Sequence, residues 1–276
     1  MLRQDVSVTL LPERQTLAGR SAATLSGGGS ASFLLSPRAV VERVTLEGAE
    51  VPYRFSGGRL SAEVSPSARS GAVLAVEYRV VFDDAPPERI VSAEDPTYGV
   101  VAAITSQGAF LGGGSGWYPE PPLPPQLRTF TITAPQGMKG VTAGRLLSAA
   151  DSGGRTVTSW SIDKPLAWLA LAAGPYQVAG RDRNGISLST WFYPENAPLS
   201  GKYLDLLSGY LDLYTGLLGP FPFEKFAVVE NFLPTGYGYP SFTLIGGSLL
   251  RLPFIPTTSL PHELVHSWWG NGVEVA

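Results

Sequence analysis

With 276 residues, 44% of them apolar and 16% charged, the chain is long enough for two domains with substantial cores and too apolar for a disordered one. A net charge of −3 without a basic run excludes an electrostatic footprint for DNA or RNA. Cysteine is absent, which excludes disulfides and thiolate metal sites, and the longest apolar stretch, 166–173, is too short to span a bilayer.

Residues 1–4 run straight into an alternating segment with no apolar core of a signal peptide. The compartment stays open between the cytoplasm and a secreted or periplasmic protein whose signal has been removed. The oligomeric state is not written in the sequence.

The first two-thirds read as short β-runs broken by glycine and proline, of which the chain has 32 and 24. Residues 6–11 form the first run, polar residues 12–15 follow, and apolar character returns at 24–25. A flexible Gly/Ser tip is expected at 26–30, then further runs at 33–35 and 40–46. Residues 73–81 alternate with period two, as do 129–133, so each should bury one face. Runs at 156–162, 168–173 and 176–178 complete the set. The glycine cluster at 112–116 has no Lys-Ser/Thr after it and no helix pattern, so a tight loop is favoured over a phosphate cradle. Residues 119–125, rich in proline, read as an extended crossover between strands.

The pattern changes near residue 182. After one more strand at 186–192, apolar residues recur at three- and four-residue steps from Tyr203 to Leu218, an amphipathic helix ended by Gly219-Pro220. Strands at 226–230 and 242–245 flank a loop at 231–240. This switch divides the chain into an antiparallel β domain, 1–182, and a second, α+β domain, 183–276.

Both histidines of the chain fall in His262-Glu263-Leu264-Val265-His266. A helix with Ser259 as N-cap, Pro261 in its first turn and a stop at Gly270-Asn271 would carry this pentapeptide over residues 262–269. One turn apart, the two imidazoles share a face and can hold a zinc ion. Glu263, about 100° around from His262, is off the ligand axis but within reach of a water at the metal, as a general base. With no third histidine and no cysteine, a remaining protein ligand has to be a carboxylate. The competing reading is two ordinary helix histidines and a first-turn carboxylate favoured by the helix dipole.

The segment 262–271, HELVHSWWGN, resembles the H-E-x-x-H-Q-W-F-G-N stretch of the M1 (gluzincin) aminopeptidase family. Four further stretches are similar to that family: residues 5–10 with Leu17-Ala18-Gly19, Trp117-Tyr118-Pro119-Glu120-Pro121, Leu169-Ala170 with Gly174-Pro175-Tyr176, and Phe221-Pro222-Phe223-Glu224-Lys225-Phe226. The likeness spans nearly the whole chain, and only the 262–271 motif is highly specific. It implies a mainly β, saddle-like sandwich domain followed by the start of a thermolysin-like α+β catalytic domain. It also implies zinc-dependent hydrolysis of a peptide or protein substrate, with His262 and His266 as ligands and Glu263 as base.

Three departures accompany the resemblance. The family's third ligand, a glutamate roughly twenty residues past the second histidine, would lie beyond Ala276, and Glu274 is too near to take the role. The oxyanion-stabilising tyrosine lies further on still. The chain therefore reads as cut within the catalytic domain, expected to bind zinc weakly and to be poorly active as it stands. Finally, where the family's G-x-M-E-N motif grips a substrate's α-amine, residues 235–240 (TGYGYP) hold no carboxylate. Tyr237, Gly238 and Tyr239 are candidate peptide contacts along an edge, or simply a tight turn. Glu230, just upstream, is a candidate replacement anchor or a structural residue. The leading function is a metallopeptidase without strict exopeptidase choice; the alternative is a non-catalytic scaffold on the same fold. Without downstream helices, the apolar flank Leu264, Val265, Trp268 and Trp269 should be partly exposed, with local disorder or a new packing contact there.

Overall fold

The computed structural model describes residues 1–65, 69–85, 99–234 and 236–272. Alternation of apolar and polar residues builds its largest sheet, because a pleated strand sends successive side chains to opposite faces. In Leu127–Pro135, Phe130, Ile132 and Ala134 are fully buried while the residues between them are half-exposed. This strand runs parallel to Arg3–Leu11, with Val6 opposite Phe130. That pair belongs to a sheet of eight strands in the order Arg145–Ser152, Arg155–Ile162, Leu127–Pro135, Arg3–Leu11, Thr16–Thr24, Val73–Val81, Val40–Leu46, Ala49–Glu50. All neighbours other than the parallel pair run antiparallel.

A three-stranded sheet (Gly29–Leu34, Arg59–Val64, Tyr53–Ser56) and a four-stranded one (Lys139–Thr142, Leu171–Gly174, Ala109–Leu111, Ala102–Ile104) pack with it around one core. The remaining sheet has the order Gln177–Arg183, Ile186–Phe192, Lys225–Asn231, Phe242–Gly246, Gly236–Tyr239. Its central strand Lys225–Asn231 is buried on both sides. Ala227 and Val229 join the core of the β-sheets, whereas Phe226 and Val228 face a second core. That second core contains Tyr203, Leu207 and Leu211 of the long helix Ser200–Leu218 and Leu260 and Leu264 of the closing helix Ser259–Val265. The five-stranded sheet is thus the wall against which the closing helix is set. No helix among the described residues is long and apolar enough to cross a membrane.

Several expectations need correction. The tip at 26–30 already enters the strand Gly29–Leu34, and the segment 231–240 is no plain loop, because Gly236–Tyr239 pairs antiparallel with Phe242–Gly246. Trp168 is not in a strand; Leu171–Gly174 is, and Trp168 has a left-handed backbone with φ 55°. The closing helix stops at Val265 with His266 as its C-cap, and Thr258 rather than Ser259 is its N-cap. Beyond it the chain tightens: the N–H groups of Ser267 and Trp268 donate to the carbonyls three residues back, Leu264 and Val265. Of the two outcomes expected for the apolar flank, the structure shows packing and not disorder, with less exposure than expected. Leu264 and Trp268 are buried, and Trp268 lies edge-on to Phe221 at 5.2 Å while its Nε1–H donates to Pro220 O at 3.2 Å. Of that flank, only Trp269 remains largely exposed.

Candidate functional site

The closing helix brings His262 and His266 together one turn apart, as the spacing requires. Their Nε2 atoms stand 3.1 Å apart and the rings are perpendicular, with centroids 4.7 Å apart. His266 Nδ1 faces the Trp269 carbonyl at 3.3 Å. A hydrogen on Nδ1, donated there, leaves the Nε2 lone pair free and aimed at its neighbour, the tautomer that metal-binding histidines adopt. The geometry of the pair fits one cation: at the ~2.0–2.1 Å usual for zinc–imidazole bonds, two nitrogens at this separation subtend roughly 100°, close to tetrahedral. Among the described residues no third histidine or carboxylate joins them in a metal-binding cluster. Glu274 lies outside the described residues.

Glu263 is only 9% exposed, yet it reaches the same cleft as the imidazoles. Burial raises its pKa above the ordinary carboxylate value, and His266 and His262 oppose that rise. Its carboxylate packs against the outermost strand, Gly236–Tyr239. A Cβ on Gly238 would stand 2.9 Å from Glu263 Oε2 and 3.4 Å from His266 Cβ, so the strand and helix approach this closely because residue 238 is glycine. On the alternate positions, the rings of Tyr237 and Tyr239 meet at 4.7 Å, tilted by 32°, and Tyr239 stacks on Phe242 at 5.1 Å. Tyr239 is buried, which pushes its phenol pKa up; Tyr237 remains 38% exposed.

These residues line a cleft of about 880 Å³ together with Val101, Gly112, Gly113 and Trp168, from segments between the strands. Sequence reasoning places Tyr237, Gly238, Tyr239, His262, Glu263 and His266 as site residues, and all six line this cleft. Thr235, of the same segment, lies outside the described residues. Glu230 does not line it. Its carboxylate accepts the Tyr193 N–H at 2.7 Å and an Asn196 Nδ2 hydrogen at 2.8 Å, tying residues 193–196 to the central strand, with its pKa raised by burial. Sequence reasoning misses the cleft residues Val101, Gly112, Gly113 and Trp168, because nothing near them hints at histidines so far along the chain.

No protein-family model matches the chain, and no curated protein does either. Solved structures do match its fold. The M1 zinc metallopeptidase from Deinococcus radiodurans superimposes with a TM-score of 0.71 at 16% identity, over 98% of this chain and 63% of that one. A mutant of that peptidase, bound to a Tyr-Ser-Ala substrate, gives 0.67 at 15% identity, over 98% and 64%. Native yeast LTA4 hydrolase gives 0.69 at 14% identity, over 98% and 44%. The chain therefore spans less than two thirds of the length of these proteins. At such identities the likeness speaks to fold alone: the chain has the mainly β, M1-like fold of the N-terminal part of these enzymes.

Proposed function

We propose that the chain carries the metal-binding helix and general base of a zinc metallopeptidase that hydrolyses peptide bonds. Nε2 of His262 and of His266 would hold the zinc, with a carboxylate outside the described residues as the remaining protein ligand. When bound, zinc supplies Lewis acidity toward the scissile carbonyl and the attacking water. Glu263 takes the proton from that water and returns it to the leaving amine. The strand Gly236–Tyr239 offers backbone to an extended peptide, with Tyr237, Gly238 and Tyr239 as its contacts. Residues 236–240 carry no carboxylate to hold an α-amine, so strict removal of one N-terminal residue at a time is not part of this reading. The division into units 1–182 and 183–276 belongs to the same proposal.

One observation carries it: two imidazole nitrogens 3.1 Å apart beside a buried carboxylate in a peptide-sized cleft. The Deinococcus enzyme held with Tyr-Ser-Ala on the same fold supports a peptide as substrate. The test is hydrolysis of a mixed peptide library by the full-length, zinc-supplied protein and by its Glu263→Gln form. The variant should lose about a thousandfold in turnover while binding zinc as before. Equal turnover in both would remove Glu263 from the chemistry; no turnover in either, with unaltered partner binding, would favour a scaffold.

A further inference from the structure

Resting on that peptide-cleft reading, we infer that Trp168 is a substrate-binding platform, held ready to stack on an aromatic side chain of the bound peptide. Trp168 lines the same cleft as His262, Glu263 and His266 and is 58% exposed. Its backbone sits at φ 55°, a left-handed conformation that a bulky L-residue adopts only against its steric preference. A side chain left 58% exposed recovers little of that steric cost through burial.

The surrounding structure nevertheless holds this conformation from three sides. The Trp168 N–H donates to Glu120 Oε1 at 2.7 Å. Arg128 Nη2 donates to the carbonyl of Leu166, and the Trp117 indole N–H donates to that of Leu169 at 2.7 Å. Glu120, Arg128 and Trp117 are all buried. Tyr118 ties two of them together, giving its hydroxyl hydrogen to Glu120 Oε1 at 3.1 Å and receiving one from Arg128 Nη1 at 3.3 Å. Burying a carboxylate and a guanidinium is costly and is tolerated only where both are well bonded.

The glycine loop is shaped to the same residue. A Cβ on Gly113 would collide with the Trp168 carbonyl, and one on Gly114 would stand 3.1 Å from its ring carbons. Three buried side chains and two glycines thus fix a cleft-lining segment whose large side chain is left mostly exposed. That is the arrangement of a preorganised contact, in which the ordering cost is met before the ligand arrives. Its chemistry selects the ligand. Apolar Val101 and Leu166 and the exposed Tyr237 line the cleft too. An indole face beside them favours an aromatic residue through offset or edge-on stacking.

The experiment measures binding, so it does not depend on turnover. Acetylated, amidated hexapeptides with Phe, Leu, Arg or Ala at one varied position are titrated into the full-length Glu263→Gln protein, zinc-supplied, by calorimetry. The Phe peptide should bind about tenfold tighter than the Ala peptide. Trp168→Gly, which removes the ring and relaxes the left-handed backbone, should abolish that ratio. Trp168→Tyr should restore most of it, and zinc affinity should be the same in all three. A Phe/Ala ratio unchanged by Trp168→Gly would overturn the platform while leaving the peptide reading intact. A ring-dependent preference for the Arg peptide would overturn the aromatic choice. Binding of no peptide at any varied residue would overturn the peptide reading, and this inference with it.

Discussion

Gly238→Ala should separate catalysis from folding. The added methyl would lie 2.9 Å from Glu263 Oε2, about 0.5 Å inside ordinary contact. The two His266 atoms nearest to it, at 3.4 and 3.5 Å, can stay where they are. Residue 238 is not among the positive-φ glycines, so alanine fits its backbone. The group that must give way is the free end of the Glu263 side chain. Stability should therefore change by less than about 1 kcal/mol, since the freedom alanine removes from the unfolded chain offsets part of the crowding. A shift of a catalytic group by half an ångström or more costs up to about a hundredfold in rate. The measurements are kcat/KM on a blocked peptide and the melting temperature, with Gly236→Ala as comparison, because its methyl would meet Glu263 Oε1 at an ordinary 3.7 Å. The 236 variant should work like the parent and the 238 variant should melt with it yet lag in turnover. Equal turnover for both would show that the position of the Glu263 carboxylate does not matter.

Gly116→Ala should destabilise by about 3 kcal/mol or more, measured by urea denaturation, because φ is 68° and the methyl would strike the backbone of Ser36 and lie 2.5 Å from Leu35 C. Gly137→Ala, at φ 86° but with open space around it, should cost only about 1 kcal/mol. Lys225 is buried with its Nζ 4.2 Å from the Trp160 ring centre and donating to Thr142 O at 2.6 Å, and burial holds its pKa well below the ordinary 10.5. The unfolded chain therefore binds more protons than the folded one from the depressed pKa up to 10.5, and stability rises with pH across that window, by at most ~1.4 kcal/mol per unit. Lys225→Met should lack this rise between pH 7 and 10; parallel curves for the two proteins would show that the ammonium is not desolvated.

What is legible in the sequence follows what each element buries. Residues 129–133 announce a strand because Phe130 and Ile132 enter the core while the threonines between them do not. The long helix declares itself for the same reason, through Tyr203, Leu207 and Leu211. The strand Arg145–Ser152 is almost wholly exposed and holds its place by pairing with Arg155–Ile162, so it shows no apolar period. Its one signal is the Gly153-Gly154 turn, whose φ values of 57° and 73° suit a two-residue hairpin. The strands Ala102–Ile104 and Ala109–Leu111 are buried throughout and too short for any period to appear. The histidine pair is legible because one helix turn holds both rings. Trp168 is not, because its conformation depends on Glu120, Arg128 and Trp117, which only the folded chain brings near.

Zinc binding tests the central claim most directly. Calorimetric titration of the full-length, metal-free protein at neutral pH should show one zinc site per chain. The double variant His262→Ala/His266→Ala, with an unchanged circular dichroism spectrum, should lose that site completely. Zinc retained by the double variant, or never bound by the parent, would contradict a metal centre at these two imidazoles.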